Sequence, residues 1–186
     1  MNLRESTILL VPGLRDHVPE HWQTHLQKKL ANARTVPPLV EAKLSCSARV
    51  SMLDLAIATC PSPPLLVAHS AGCIMVAHWA HQYRRQIAGA IMVAPPDLET
   101  PMPAPYPTIE DIRKNGWLPI PRRALPFPTV VGASTNDPLA SFERVTELAK
   151  DWNGKLVNLG DVGHVNPASG FGEWPRAEEL IREFLA

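Results

Sequence analysis

The chain has 186 residues, 45% of them hydrophobic and 19% charged, which is the make-up of one globular domain with enough chain to bury a core. Its 18 basic and 18 acidic residues cancel, so no overall field draws it to nucleic acid or to an acidic membrane surface. Three cysteines, Cys46, Cys60 and Cys73, are an odd number without a CxxC pair, which argues against a disulfide framework or a zinc site and for a reducing cytoplasm.

The opening "MNLRESTILLVPG" carries a charged pair and then an apolar run too short for a signal-peptide core. Nowhere do 18 apolar residues follow one another, so no membrane span is expected. "STILLVP" (Ser6 to Pro12) reads as a buried strand closed by Pro-Gly. From Pro19, Trp22, Leu26 and Leu30 form one stripe of a helix, with the proline near its first turn. A short strand at Arg34 to Val36 and a helix from about Ser47 to Thr59 follow, with Val50, Leu53 and Ile57 inward. "PPLLVAH" is a strand, "AGCIMVAHWAHQY" the helix after it, and "IAGAIMVAP" (Ile87 to Pro95) another continuous apolar strand. Proline is then so dense, from Pro95 to Pro107, that neither helix nor ladder can run through it; a long loop over the sheet edge is predicted. "FPTVVGAS" (Phe127 to Ser134) is a strand, and "PLASFERVTELAKDW" a helix with Phe142, Val145 and Leu148 inward. "KLVNLGD" is the last strand and "WPRAEELIREFLA" the closing helix. Unbroken apolar strands alternating with helices predict an α/β fold of three layers, with a mostly parallel sheet covered on both faces and no separate lid domain. Trp22, Trp79 and Trp152 are expected in the core, and Cys73 as a buried thiol.

Against that pattern Ala68-His69-Ser70-Ala71-Gly72 stands out, because a hydroxyl and small residues sit where an apolar strand meets an apolar helix. A nucleophile exposed on so tight a turn needs small neighbours two residues before and two after, and Ala68 and Gly72 supply them. The helix starting at Ala71 would aim its free N–H groups at an oxyanion. Asp137, in "VVGASTNDP", and His164, in "LVNLGDVGHVN", each follow a later strand, in the order acid then base. A serine hydroxyl needs a base to take its proton, and a carboxylate fixes that base's tautomer. Taken singly, each has a plainer reading: Ser70 as a helix N-cap, Asp137 as an Asx turn before Pro138, His164 as a loop histidine. Their joint order favours the catalytic reading. Asp161 and Asp97 are rival acids. The backbone N–H groups of Ala71 and Leu14, the latter on "VPGLRDH", are the expected oxyanion donors. Arg15, Asp16 and His17 would line the mouth. His69 points to the far side of its strand, a poor base for its neighbour; with Arg15 and Trp174 it is expected near substrate.

The segments "VPGLRDHVPEHWQTHLQ", "LLVAHSAGC", "GAIMVAPPD", "FPTVVGASTNDP" and "LGDVGHVNPASGFGEWP" cover nearly the whole chain. Through them the sequence resembles the small serine hydrolases related to retinoblastoma-binding protein nine and its bacterial relatives, within the α/β-hydrolase superfamily. The resemblance implies an α/β-hydrolase fold, and a nucleophile, acid and base at Ser70, Asp137 and His164. It departs from them at Ala71, where such relatives often have a bulkier residue, and at Asn136-Asp137-Pro138, where they often have Asp-Asp-Pro. It departs again in "CSARVSMLDLA", which lacks their Trp-containing segment. The expectation is a hydrolase of a small ester, thioester or amide, with a small-molecule substrate and neither cofactor nor metal. The alternative is a module on the same scaffold that binds a protein partner and turns nothing over. A dinucleotide enzyme is disfavoured, since no Gly-x-Gly-x-x-Gly follows any strand.

Overall fold

The computed structural model describes residues 6–16 and 18–186; the charged pair of the N-terminus and His17, expected at the mouth of the site, lie outside them. Six strands, β1 (Ile8–Val11), β2 (Ala33–Thr35), β3 (Leu65–His69), β4 (Gly89–Val93), β5 (Thr129–Ala133) and β6 (Lys155–Asn158), form one sheet in the order β2-β1-β3-β4-β5-β6. Every pairing in it is parallel, for example Leu10 with Val67 and Val67 with Ile91.

Parallel strands need crossovers, and six helices supply the two outer layers. Helices α1 (Trp22–Lys29) and α6 (Arg176–Leu185) cover one face through Trp22, Leu26, Leu180 and Ile181. Helices α2 (Cys46–Ala58), α3 (Ala71–Gln82), α4 (Ile109–Lys114) and α5 (Phe142–Asp151) cover the other. Side chains alternate across the sheet: Leu9, Val11, Leu66 and Ala68 face the α2–α5 side, and Ile8, Leu10, Leu65 and Val67 the α1–α6 side. The central strands are buried on both sides, which is why they read as unbroken apolar runs. The chain runs from β1 out to β2, then returns past β1 to β3 and continues the other way. The loops after β1 and β3 therefore diverge, and a crevice opens between them at the carboxyl edge.

Several boundaries differ from the pattern-based reading. Helix α1 starts at Trp22 rather than near Pro19, because the His21 side chain takes the N-cap role by accepting from the Gln23 N–H at 3.2 Å. Phe142 begins α5 and is only half-buried. The Pro95 to Pro107 stretch holds neither helix nor strand. Just after it α4 appears, unforeseen but signalled by Thr108 and Asp111, whose side chains and backbones cap one another reciprocally. A 3-10 turn at Pro167–Ser169 was not foreseen either. Trp22, Trp79 and Trp152 are buried, and so is Cys73, whose thiol burial pushes well above its usual pKa. No helix among the described residues is long and apolar enough to cross a membrane.

Candidate active site

Ser70 sits between the last residue of β3 and the first of α3, with φ 55° and ψ −134°, a backbone conformation costly for any residue with a Cβ. Its N–H donates to the Val93 carbonyl at 3.0 Å, and its own carbonyl accepts from the Cys73 N–H at 2.9 Å, so both neighbouring elements hold the turn. The surrounding glycines are small for a measurable reason. A Cβ on Gly72 would lie 2.4 Å from the Val11 carbonyl oxygen, and one on Gly13 would lie 3.0 Å from Ser70 Cβ. The loop leaving β1 passes directly against the serine, and no larger side chain fits between them.

Two loops from the far half of the sheet reach the same point. The Ser70 hydroxyl lies 2.8 Å from His164 Nε2, and His164 Nδ1 lies 2.8 Å from Asp137 Oδ2. The other oxygen of Asp137 accepts from the Leu139 N–H at 2.8 Å, so the carboxylate is fully engaged and buried. Asn136 ties the two loops together by accepting from the Gly163 N–H at 2.6 Å. The His164 N–H donates to Ser169 Oγ at 3.0 Å, and Asn166 in turn accepts from that hydroxyl. The rival acids are occupied elsewhere: Asp161 accepts from the Thr135 hydroxyl, and Asp97 pairs with Arg144 at 3.0 Å. An imidazole so placed can take the hydroxyl's proton, with a carboxylate ready to stabilise the resulting cation.

The model of a family described as serine hydrolase matches residues 8–183. The chain belongs to the serine hydrolase family. Among solved structures this hydrolase is similar to a YdeN-like hydrolase of Pectobacterium atrosepticum, at 29% identity, covering 97% of this chain and 91% of that one, with TM-score 0.80. It is also similar to the ydeN gene product of B. subtilis, at 19% identity over 97% and 98% of the two chains, TM-score 0.74. A thermophilic esterase of Thermogutta terrifontis matches at 19% identity over 96% and 88%, TM-score 0.63. The last two, at that identity, speak to the α/β-hydrolase fold alone. No curated protein matches.

Around its serine the hydrolase has the N–H groups of Leu14 and Ala71, and among the described residues neither is taken by another group. A cavity of about 170 Å³ opens over Ser70, walled mainly by apolar side chains such as Val18, Leu98, Met102 and Leu139. A wider hollow of about 610 Å³ adjoins it on the His164 side. The Pro-rich stretch supplies a wall to both through Tyr106. Arg15 is exposed on the rim and borders both.

Of the three residues expected near substrate, Arg15 and His69 border the Ser70 cavity and Trp174 does not. Trp174 packs edge-on against Trp22, ring centroids 5.2 Å apart, because the turn into α6 carries it to the α1 face of the sheet. It borders a separate hollow with His25 and Leu26. His69 borders the Ser70 cavity, but both its ring nitrogens are already hydrogen-bonded within the protein. Its Nε2 lies 2.8 Å from the His164 carbonyl oxygen, and its Nδ1 lies 3.2 Å from His21 Nε2. The polarity of this series follows from the chemistry. A carbonyl only accepts, so His69 Nε2 donates; the Gln23 N–H only donates, so His21 Nδ1 accepts. Two neutral rings then pair His21 Nε2–H with His69 Nδ1. Burial pushes the His69 pKa well below 6.5, with the nearby His164 and His21 adding to the effect, so the neutral form is the folded one.

Sequence reasoning missed His21, Gln23 and Arg49. Gln23 donates to the carbonyls of Val11 and Val67 at 3.3 and 3.0 Å, and buried Arg49 donates to those of Gly13 and Leu14 at 3.2 and 3.0 Å. No spacing rule connects Gln23 and Arg49 to carbonyls 12 to 44 positions away. Among the described residues no group of three or more His, Cys, Asp or Glu could hold a metal ion.

Proposed function

We propose that this hydrolase cleaves a small ester, thioester or amide through an acyl-enzyme intermediate on Ser70. The observation that carries the reading is the unbroken hydrogen-bonded series from the Ser70 hydroxyl through both nitrogens of His164 to Asp137. Ser70 Oγ attacks the substrate carbonyl carbon while its proton passes to His164 Nε2. The carbonyl oxygen, now an anion, is received by the N–H groups of Leu14 and Ala71. Collapse of the tetrahedral intermediate breaks the bond to the leaving group, which departs with the proton from His164. Water then attacks the acyl carbon, gives its proton to the same nitrogen, and the acid leaves as Ser70 regains its hydrogen. Asp137 holds the Nδ1–H tautomer and offsets the imidazolium charge in both halves.

A fluorophosphonate probe tests this. The wild-type protein should be labelled and Ser70→Ala should not. Labelling that persists in Ser70→Ala removes the serine from the role, and a wild type that resists labelling favours the partner-binding reading.

A further inference from the structure

We infer that the leaving group of the substrate carries a negative charge, recognised by Arg15 and Lys43 in the hollow beside His164. The inference rests on the acyl-enzyme reading above and adds which half of the substrate goes where.

Orientation comes first. The group that protonates the leaving group is His164, so the leaving group must depart on the imidazole side of the reaction centre. The 170 Å³ cavity contains Ser70 together with Leu98, Met102 and Leu139, which suits an apolar acyl group. The 610 Å³ hollow touches His164 but not Ser70, which suits what departs.

Charge comes second. The hollow's polar side chains are the Arg15 guanidinium, the Lys43 ammonium, the hydroxyls of Tyr106 and Ser169, His164, and Asn166, whose amide oxygen is already committed to Ser169. Among the described residues no carboxylate lines it. Of the acidic groups nearby, Asp137 is engaged by His164 and the Leu139 N–H, and Asp16, on the rim of the inner cavity, is paired with the buried Arg49 at 3.0 Å. Arg49 also donates to the Lys43 carbonyl at 2.6 Å and to the Leu14 carbonyl at 3.0 Å. One buried guanidinium thus fixes both cation-bearing loops against each other and cancels the rim's acid, while neither Arg15 nor Lys43 has a carboxylate partner among the described residues. A hollow with two uncompensated cations and no carboxylate among its described lining residues selects for an anion.

The test compares butanoate esters of 4-hydroxybenzoate and of 4-(phosphonomethyl)phenol, both anionic in the leaving group, with the ester of methyl 4-hydroxybenzoate, which is neutral. The readout is the anionic-to-neutral ratio of kcat/KM in the wild type relative to the Arg15→Gln, Lys43→Gln double variant, a comparison that cancels intrinsic reactivity. The ratio should fall by roughly fivefold in the variant, the scale of two exposed charge contacts, with the change in KM rather than kcat. In the wild type, raising salt to about 0.5 M should reduce it in the same direction. A ratio indifferent to both the variant and salt overturns the inference. So does a variant-sensitive preference that appears instead for 4-nitrophenyl hydrogen succinate, where the anion is on the acyl side. If none of these esters is turned over while the fluorophosphonate still labels Ser70, the leaving-group inference fails and the nucleophile stands. If Ser70→Ala hydrolyses them as fast as the wild type, the parent reading fails.

Discussion

At the scale of single residues, the strongest test of the acid is subtraction. Asp137 has one oxygen on the imidazole and the other on the Leu139 N–H, so an amide there keeps the shape but offers His164 the wrong polarity. Asp137→Asn should lower kcat by about four orders of magnitude while the protein stays folded. Asp97→Asn, which disturbs an ion pair with Arg144 and not the imidazole, should leave kcat within about tenfold; the reverse pattern in steady-state kinetics would reassign the acid. His69 makes a second prediction. It is held neutral because burial lowers its pKa well below 6.5, with His164 and His21 the titratable groups facing it. Below that pH the unfolded chain binds a proton here that the folded chain refuses. Stability is then fully present above pH 6.5 and falls as pH drops, by up to about 1.4 kcal/mol per pH unit for one group. His78, lowered chiefly by burial, adds in the same direction. Urea unfolding at pH 7.5 and 5.5 should show the loss, and His69→Gln should shrink the difference between the two.

At the scale of elements, the turn from β3 into α3 works only because β1 comes so close. Gly72 has the Val11 carbonyl oxygen where its Cβ would be, and the Pro12 oxygen at 2.9 Å from the same point. Both are backbone atoms and cannot rotate aside. Gly72→Ala should destabilise by about 1–3 kcal/mol in urea unfolding. It should also depress kcat, because pushing β1 outward carries the Leu14 N–H away from Ser70. An alanine variant as stable and active as the wild type would mean the loop gives way freely. The alternation of apolar strand and amphipathic helix made these elements legible in the sequence. The entry to α1 was not, since His21 caps it with a ring nitrogen where a Ser, Thr, Asp or Asn would have advertised the start.

At the scale of the molecule, the cavity over Ser70 is assembled from segments that share no local pattern: the loop after β1, the Pro-rich stretch, the Asp137 loop and the turn at Pro167–Ser169. Met102, half-buried in the Pro-rich stretch, lines this space, on the side proposed for the acyl group. Met102→Trp should shift the preference toward shorter acyl chains, lowering kcat/KM for hexanoate esters by about tenfold relative to acetate, the scale of a few misfitted methylenes. An unchanged chain-length profile would remove that stretch from the acyl wall.

The sequence by itself determined the parallel three-layer arrangement and the order in which a serine, an acid and a histidine follow successive strands, because both are written in local periodicity and in position along the chain. It singled out Asp137 over Asp97 and Asp161 on position alone; the distances that separate the three came from the fold. Only the tertiary structure decided that Trp174 packs against Trp22 of α1 and that His69 spends both nitrogens on its neighbours. The same holds for Arg49, which clamps two loops that carry cations to one rim. Which side chains meet across a sheet depends on where helices from distant parts of the chain come to rest, and no spacing within a segment records that.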